Sequence, residues 1–554
     1  VGDEGLPWRH SAAMDKDEGT RCCRPMKARP FLSALIAVLL SLLLLTLGVL
    51  WAMDRRSPLR LAEMSPELPR AARFVPRQAA LSLHWLADPS RLPSYVQAVA
   101  PASERRQARD AARRWREGVF ALAGLDYDSE LASWLGSDVS LTLLDADGAR
   151  SDPGWILALS SRSSDGARLF LQRFWQTRSL AGTDLQVTSY RGMGLISGRG
   201  ALQGRAPVPL ATTLIDDDLL LLASGRGVLE QALDVSQLQD QHQLGDAQLQ
   251  RQLQELGQGV ALMTVSPAAL KQWFQLPVAL ADRPDLEGLV ARLHPDGREL
   301  AVDGLLRFRG PLGSASWEPA DGLMPAAAGR PSWLAQLQDP GRLIRADDDH
   351  PLVQWVGPLL RKALDDHPVA GQIARFDDGP LLWLQQAESW LLATRPGHPT
   401  RSSLNERWQA EGLARSELSG DGETLQVWTR LVRQRGRGEG LDAQLAVASA
   451  GDADLDWWGD SLAALERRRD SRGISDRQNQ WHSLQGSEAA SQSLLLADQP
   501  ARSLLSRWDP WRLLQALSGD PLQARVKGLA LALERDHDDG GSSVLPLHAR
   551  LELG

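Results

Sequence analysis

Apolar and polar positions along this chain follow two periods, one typical of β-strands and one typical of α-helices. Residues 155–160 and 390–394 are short apolar runs, which indicates buried strands. Each run precedes a stretch with apolar residues three or four positions apart, which predicts an amphipathic helix. Hairpins dominate over parallel crossovers, so the pattern predicts an α+β fold with antiparallel sheets and packed amphipathic helices.

One combination of elements recurs four times: an apolar strand, an acidic or polar capping residue, a proline and an amphipathic helix. The four copies begin near residues 81, 260, 343 and 493. The capping side chain can accept a hydrogen bond from an N–H group of the first helical turn, where proline costs little. Because the copies are spaced as two pairs, they suggest an internal duplication.

Further segments follow in the same order in both halves of the chain. Residues 184–188 and 423–427 share Leu-Gln-Val, and turn residues at 294–297 and 538–541 predict two similar hairpins. We therefore expect two similar α+β halves. The predicted domains are a tail, 1–30; a transmembrane helix, 31–53; a proline-containing spacer, 54–79; a first repeat, 80–310; a linker, 311–330; and a second repeat, 331–554.

Residues 31–53 form a long apolar run without charge or proline. At about 1.5 Å per residue the run extends for about 34 Å, enough to cross a bilayer. It lacks an Ala-x-Ala exit site, so we predict an uncleaved, single-pass signal anchor. Ser33, Ala37 and Ser41 recur at every fourth position and are candidates for packing between transmembrane helices. Ordinary lipid-facing positions are the alternative interpretation.

Basic residues flank this run on both sides, with a slight excess before it. By the positive-inside rule, the excess predicts a large C-terminal domain outside the cytoplasm, in a periplasm or a thylakoid lumen. The chain starts at Val1, which fits an alternative start codon or a truncated sequence. Met26 is a further candidate start, and with that start residues 1–25 are not native.

Three motifs in the first half carry a resemblance to a known family. They are Gly-Leu-Asp-Tyr-Asp-Ser-Glu-Leu-Ala-Ser-Trp-Leu-Gly-Ser-Asp at 124–138, Ser-Tyr-Arg-Gly at 189–192, and the acidic turn with its apolar strand at 216–224. In these motifs the chain resembles an uncharacterised family of cyanobacterial single-span membrane proteins, classed as a domain of unknown function. The resemblance covers residues 80–310 well and the second half more weakly. It implies an anchored, duplicated soluble domain and no catalytic residue.

Composition excludes some classes of function. The net charge of −8 argues against a dedicated nucleic-acid binder. Cys22 and Cys23 are the only cysteines, so the large domain has no disulfide and no thiol site. The 20 Trp residues exceed the 8 Phe and 3 Tyr. Tryptophan can line an apolar ligand cleft or fill a core.

A search for catalytic motifs finds no zinc-protease, P-loop or nucleophile-elbow signature. The acidic run at 452–456 begins like a calcium loop, but Trp457 stands where glycine is needed. Runs at 347–350, 365–367 and 536–539 could hold a divalent ion weakly, and solvated turns or caps are the preferred interpretation. We therefore predict no catalytic, cofactor-binding or metal-binding residue and no cofactor.

A predicted helix at 103–122 is rich in arginine along its polar side. Candidates for contact with anionic lipid headgroups or an acidic partner are Arg105, Arg106, Arg109, Arg113 and Arg116. Acidic residues are interspersed among them, which equally fits a solvated helix face.

These observations favour a membrane-anchored, non-catalytic binding or scaffold protein with an extracytoplasmic domain. Its expected partners are the membrane and a membrane-associated or envelope protein, with lipid as a further candidate and no nucleic acid. A first alternative is a carrier of lipid or another apolar ligand, with its cleft lined by tryptophan. A second is a hydrolase whose site is assembled from distant residues.

Overall fold

The apolar runs of this chain form β-strands that all join one antiparallel sheet, which has 21 strands in the described part of the chain. The computed structural model describes residues 57, 59, 61, 67–121, 123–145, 154–180, 184–200, 208–312, 317, 322–376, 378–397, 401–420, 423–433, 441–452, 454–470, 474–484, 490–518, 522–539 and 541–554. The chain divides into two compact units, 1–60 and 61–554, and every helix and strand named here belongs to the second.

The strands follow the predicted apolar runs closely. They are β1 Leu81–Trp85, β2 Leu135–Leu143, β3 Trp155–Ser161, β4 Gln186–Tyr190, β5 Met193–Gly200, β6 Val208–Ile215, β7 Leu219–Ala223, β8 Ala261–Val265, β9 Leu286–Asp296, β10 Glu299–Arg309, β11 Trp333–Leu337, β12 Leu381–Gln386, β13 Ser389–Thr394, β14 Leu413–Gly420, β15 Glu423–Arg433, β16 Leu441–Gly451, β17 Asp456–Gly459, β18 Gln492–Ala497, β19 Val526–Leu533, β20 His537–Asp539 and β21 Ser542–Leu553.

Helices connect the strands and pack on the sheet. The α-helices are α1 Leu92–Val99, α2 Arg105–Ala121, α3 Ser164–Leu180, α4 Arg226–Val235, α5 Ala247–Leu256, α6 Pro267–Trp273, α7 Val278–Ala281, α8 Pro340–Ile344, α9 Pro351–Asp365, α10 Pro368–Arg375, α11 Arg401–Ala410, α12 Leu462–Arg467, α13 Ser475–Leu484, α14 Asp498–Leu505, α15 Asp509–Ser518 and α16 Leu522–Arg525. Short 3₁₀ helices lie at Arg70–Phe74, Gln243–Gly245 and Met324–Ala326, and a π-helical turn lies at Tyr127–Leu131.

The sheet has the same strand order on both sides of its centre. Outward from β10 the order is β9, β8, β1, β2, β3, β7, β6, β5 and β4. Outward from β21 it is β19, β18, β11, β12, β13, β17, β16, β15 and β14, with the short β20 beside β21 on the same side as β19. Strands β10 and β21 pair with each other along their whole length and join the two sides.

The predicted fold class, one transmembrane helix followed by two α+β halves with their own antiparallel sheets, is wrong. The two sets of strands form a single sheet because β10 pairs with β21, from Glu299 opposite Glu552 to Arg309 opposite Ser542. No helix in the described part of the chain is long and apolar enough to cross a membrane. The predicted span at 31–53, with Ser33, Ala37 and Ser41, lies outside the described residues, as do Cys22 and Cys23.

Apolar side chains lie on both faces of the sheet, so strands such as β7, with sequence Leu-Leu-Leu-Leu-Ala, are apolar at every position. Leu220 and Leu222 pack with residues of α2 and α3 on one face. Leu219 and Leu221 pack with α4 and the Arg70–Phe74 helix on the other. Because helices cover both faces, the molecule has three layers, helix, sheet and helix.

Tryptophan fills the core of the second half. Trp408, Trp428 and Trp458 are fully buried and lie with ring centroids 4.8–6.1 Å apart. Trp383 is also fully buried and contacts Trp333 at 4.7 Å. These indole rings therefore pack against one another and do not line a cleft.

The capping pattern is confirmed at Ser266, whose hydroxyl accepts from the backbone N–H of Ala269 at the start of α6. Near residue 343 the predicted strand is wrong, because Pro340–Ile344 form helix α8 and the strand of that unit is β11, ten residues earlier in the chain. The predicted cap, proline and helix of the same unit are confirmed, since His350 accepts from the backbone N–H of Leu352 and Pro351 begins α9. The two predicted hairpins are present as β9–β10 and β20–β21.

Residues 70–74 of the predicted spacer pack onto the sheet. Residues Arg70–Phe74 form a 3₁₀ helix, in which Ala72 and Phe74 are buried. The boundaries of the other predicted domains stay predictions.

Candidate binding surface

A row of charged side chains crosses the centre of the sheet where its two sides join. Arg292 on β9 lies directly opposite Asp303 on β10, and Asp303 lies opposite His548 on β21. Directly opposed residues of antiparallel strands project on the same face, so the register brings these three side chains into contact. Arg550 and Glu534 complete the cluster, which we call the central cluster.

Asp303 is the hub of the central cluster. It accepts hydrogen bonds from His548 Nδ1 and Arg550 Nη1, both at 2.8 Å, on one oxygen, and from Arg292 Nη2 at 2.9 Å on the other. His548 Nε2 donates in turn to Glu534 at 3.0 Å. Since ionised carboxylates only accept, both ring nitrogens of His548 carry a proton and the ring is an imidazolium.

The pKa values agree with this assignment. Burial by itself would lower the pKa of His548, but hydrogen bonds to Asp303 and Glu534 outweigh burial and raise it to about 9. Burial would likewise raise the pKa of Asp303, but the hydrogen bonds from His548 and Arg550 hold it far below its usual value. Asp303 and His548 are therefore both charged at neutral pH, and His548 cannot accept a proton as a general base.

A second polar network is buried in the first half. His84 donates from Nε2 to the amide oxygen of Gln243 at 3.3 Å, so its Nδ1 accepts from the Ser140 hydroxyl at 2.8 Å. Burial lowers the pKa of His84 to about 4, so the ring is neutral. This Ser-His contact is what a hydrolase would need, but His84 is fully buried and Ser140 is 2% exposed, so no substrate can reach them.

Two open clefts lie at the end of the β9–β10 hairpin. The larger, about 510 Å³, is lined by Val99, Asp296, Gly297, Arg298, Glu299 and Glu552. Burial, then the neighbouring carboxylates of Glu552 and Asp296, raise the pKa of Glu299. Glu299 and Glu552 oppose each other on β10 and β21, two positions from the pair that contains Arg550 of the central cluster. The acidic side of the larger cleft therefore adjoins the central cluster.

The smaller cleft, about 370 Å³, has three basic side chains on its wall. Arg298, Arg525 and Lys527 line it together with Glu104 and Gln107 at the start of α2. It therefore adjoins the arginine-rich helix that the sequence analysis singled out.

The structure divides the five candidate arginines into two groups. Arg116 is buried, stacks 3.8 Å from the Tyr127 ring centre and donates to Asp128 at 2.8 Å. Arg113 donates to the other oxygen of Asp128 at 2.7 Å. These two arginines hold the π-helical turn against α2, and both are already paired with Asp128.

Arg105, Arg106 and Arg109 are exposed along the first two turns of α2. None of them forms an ion pair with a described residue. Because the position of the π-helical turn in the fold decides which arginines it contacts, the sequence pattern could not separate the two groups. We call the exposed side chains Arg105, Arg106 and Arg109 the basic surface.

The acidic runs contribute to structure. His350 of the 347–350 run caps α9 through Nδ1 and donates from Nε2 to Asp536 at 3.2 Å, which ties two of the runs together. Asp452 accepts from the backbone N–H groups of Asp454 and Leu455 and so forms a turn. Within the described ranges, no group of three or more potential ligands could hold a metal ion.

The central cluster was not found by the sequence analysis. Asp303 and His548 are single polar residues within period-2 strands and lie 245 positions apart in the chain. The one available signal was a charged residue at an otherwise apolar strand position, which occurs often and identifies no partner.

These features define a protein built on one antiparallel sheet with helices on both faces and two open clefts lined by charged side chains. The chain belongs to the family described as Protein of unknown function (DUF3352), whose model matches residues 34–545. This confirms the predicted membership of a domain-of-unknown-function family. No curated protein matches the chain.

Solved structures of TP0453 show a distant likeness. Crystal form I has 9% identity and a TM-score of 0.26, covering 44% of this chain and 79% of that chain. Crystal form III has 10% identity and a TM-score of 0.24, covering 44% and 80%. Crystal form IV has 11% identity and a TM-score of 0.23, covering 43% and 79%. At these TM-scores the likeness carries no argument about fold or function.

Proposed function

We propose that this protein is a non-catalytic binding or scaffold protein that docks an anionic partner on its basic surface. The observation that carries the proposal is the concentration of exposed cations in a protein whose net charge is −8. Arg105, Arg106 and Arg109 are exposed within the first two turns of α2, and Arg298, Arg525 and Lys527 line a cleft that Gln107 of the same helix also lines. Such a patch attracts acidic groups and increases their association rate.

The partner in this proposal is a membrane-associated or envelope protein with an acidic docking face, and the domain lies outside the cytoplasm. A cyanobacterial source and a duplicated origin of the domain belong to the same proposal. The repeated strand order on the two sides of the sheet supports the duplicated origin.

The state of the buried histidines supports a role without catalysis. His548 is held as an imidazolium between two carboxylates, and His84 is neutral but sealed from solvent. Both are fully engaged with neighbours inside the fold. The carrier alternative gains no support, because the clefts are open and charged while Trp383, Trp408, Trp428 and Trp458 pack in the core.

The test compares the wild-type chain with the variant Arg105→Gln, Arg106→Gln, Arg109→Gln in pull-downs from native membranes in mild detergent. We expect the wild type to retain an acidic protein stoichiometrically, and the variant or high salt to release it, because screening weakens exposed charge pairs. A matched control, Arg173→Gln, Arg345→Gln, Arg375→Gln, removes three exposed arginines elsewhere and should retain the partner. Equal capture by both variants, or capture of lipid without protein, contradicts the proposal.

A further inference from the structure

The outermost strand of the second half, β14, is open on one side. It pairs with β15 from Leu413 opposite Arg430 to Gly420 opposite Glu423, and with no other strand of the described chain. Residues 414–419 are exposed without interruption. An edge strand of this length presents a row of free N–H and C=O groups, which another strand can pair with.

The sequence of β14 is complementary to itself. Arg415 and Glu417 lie on one face of the strand, two positions apart, and their side chains are 37% and 60% exposed. A second copy can pair with β14 in the antiparallel sense about a two-fold axis perpendicular to the sheet. Such an axis keeps each side chain on its own face, so opposed residues must be separated by an even number of positions.

Charge selects one register among those that symmetry allows. A two-fold axis at Ser416 places Arg415 of each copy opposite Glu417 of the other. Two opposite-charge pairs therefore form. The same axis also places Ala414 opposite Leu418 on the other face. An axis at Arg415 or at Glu417 would instead oppose two like charges, which is unfavourable across a strand pair.

The opposite edge of the sheet lacks this property. Strand β4, which has the corresponding place in the first half, reads Gln-Val-Thr-Ser-Tyr and carries no charge. No register of β4 with itself, or of β4 with β14, can therefore form two opposite-charge pairs within the strands.

We propose that this protein forms a symmetric dimer through antiparallel pairing of β14 with β14 of a second copy, centred on Ser416. The pairing extends the sheet across the two-fold axis into one continuous sheet. Within one strand, Arg415 Nη2 donates to Glu417 Oε1 at 3.3 Å. In the dimer this contact is replaced by two Arg415–Glu417 contacts between the copies. The inference does not depend on the proposed function, because the basic surface lies in other elements.

The test is a charge exchange on the full-length chain, with molar mass measured by sedimentation equilibrium over a range of concentrations. The wild type should approach twice its mass of 60.6 kDa. Arg415→Glu and Glu417→Arg each place two like-charge pairs at the interface, so each should weaken dimerisation about tenfold. The double variant R415E/E417R restores both opposite-charge pairs and should dimerise like the wild type.

Mixing the two single variants gives a sharper test, because each supplies the charges that the other lacks. The mixture should form heterodimers although neither variant dimerises well alone. Lys362→Glu, an equal charge change at an exposed position of α9, is the control and should leave dimerisation unchanged. A monomeric wild type, or a double variant as weak as the single variants, would overturn the proposal. A wild-type dimer that the single variants leave intact would also overturn it.

Discussion

The charge of His548 should make the stability of this protein fall at alkaline pH. The pKa of His548 is about 9 in the folded protein against 6.5 for an ordinary histidine, so the folded state binds the proton more tightly. The resulting stabilisation is complete below pH 6.5, declines from there and is lost above pH 9. A shift of this size corresponds to about 3 kcal/mol of unfolding free energy.

The groups around His548 fix the sign of this effect. Asp303 and Glu534 contact the two ring nitrogens, and Arg550 and Arg292 contact Asp303 from the flanking strands. Deprotonation of His548 removes one positive charge that faces two carboxylates. The change in stability is therefore assigned to the histidine.

The assay is urea unfolding of the wild type and of His548→Gln at pH 6, 7.5, 9 and 10, followed by tryptophan fluorescence. The wild type should exceed the variant in unfolding free energy at pH 6, and this excess should shrink by about 3 kcal/mol by pH 10. His482→Gln, at an exposed position of α13, is the control for losing a histidine and should follow the wild type. An excess that stays constant from pH 6 to pH 10 would refute the assignment of His548 as an imidazolium in the folded state.

Two further predictions concern the cores. The pKa of His84 is about 4 in the folded protein, against 6.5 for an ordinary histidine. The contribution of His84 to the unfolding free energy is therefore complete above pH 6.5. About 3 kcal/mol of that contribution should be lost as the pH falls to 4, and urea unfolding of His84→Gln should lack this acid dependence. Trp458→Ala empties a fully buried site against Trp408 and Trp428 and should cost about 3–5 kcal/mol, measured by urea unfolding. A comparable loss in Trp481→Ala, at a half-buried position, would contradict the cavity argument.

Local chemistry determined the elements that sequence analysis predicted well. Residues 155–160 and 390–394 are strands β3 and β13 because a run of apolar side chains is stable only where both faces are buried. Ser266 begins α6 because its hydroxyl accepts from a backbone N–H group three residues later. The hairpin turn near residue 296 follows from the same short-range rule. In each case the decisive contacts lie within a few residues of one another, so the pattern along the chain contains them.

Only the tertiary structure decided how the two sides of the sheet meet. Strand β10 pairs with β21, and Asp303 and His548 in this pairing lie 245 positions apart in the chain. This pairing joins the two expected sheets into one. Apolar periodicity specifies that a strand needs neighbours, but not which strand supplies them. The same limit applied to the arginines of α2, since the position of Asp128 in the fold separates Arg113 and Arg116 from the three exposed residues. The sequence by itself thus determined the elements and their buried faces. Pairing between distant strands costs chain entropy, and only the complete sheet offsets that cost. This long-range pairing decided the architecture and the site.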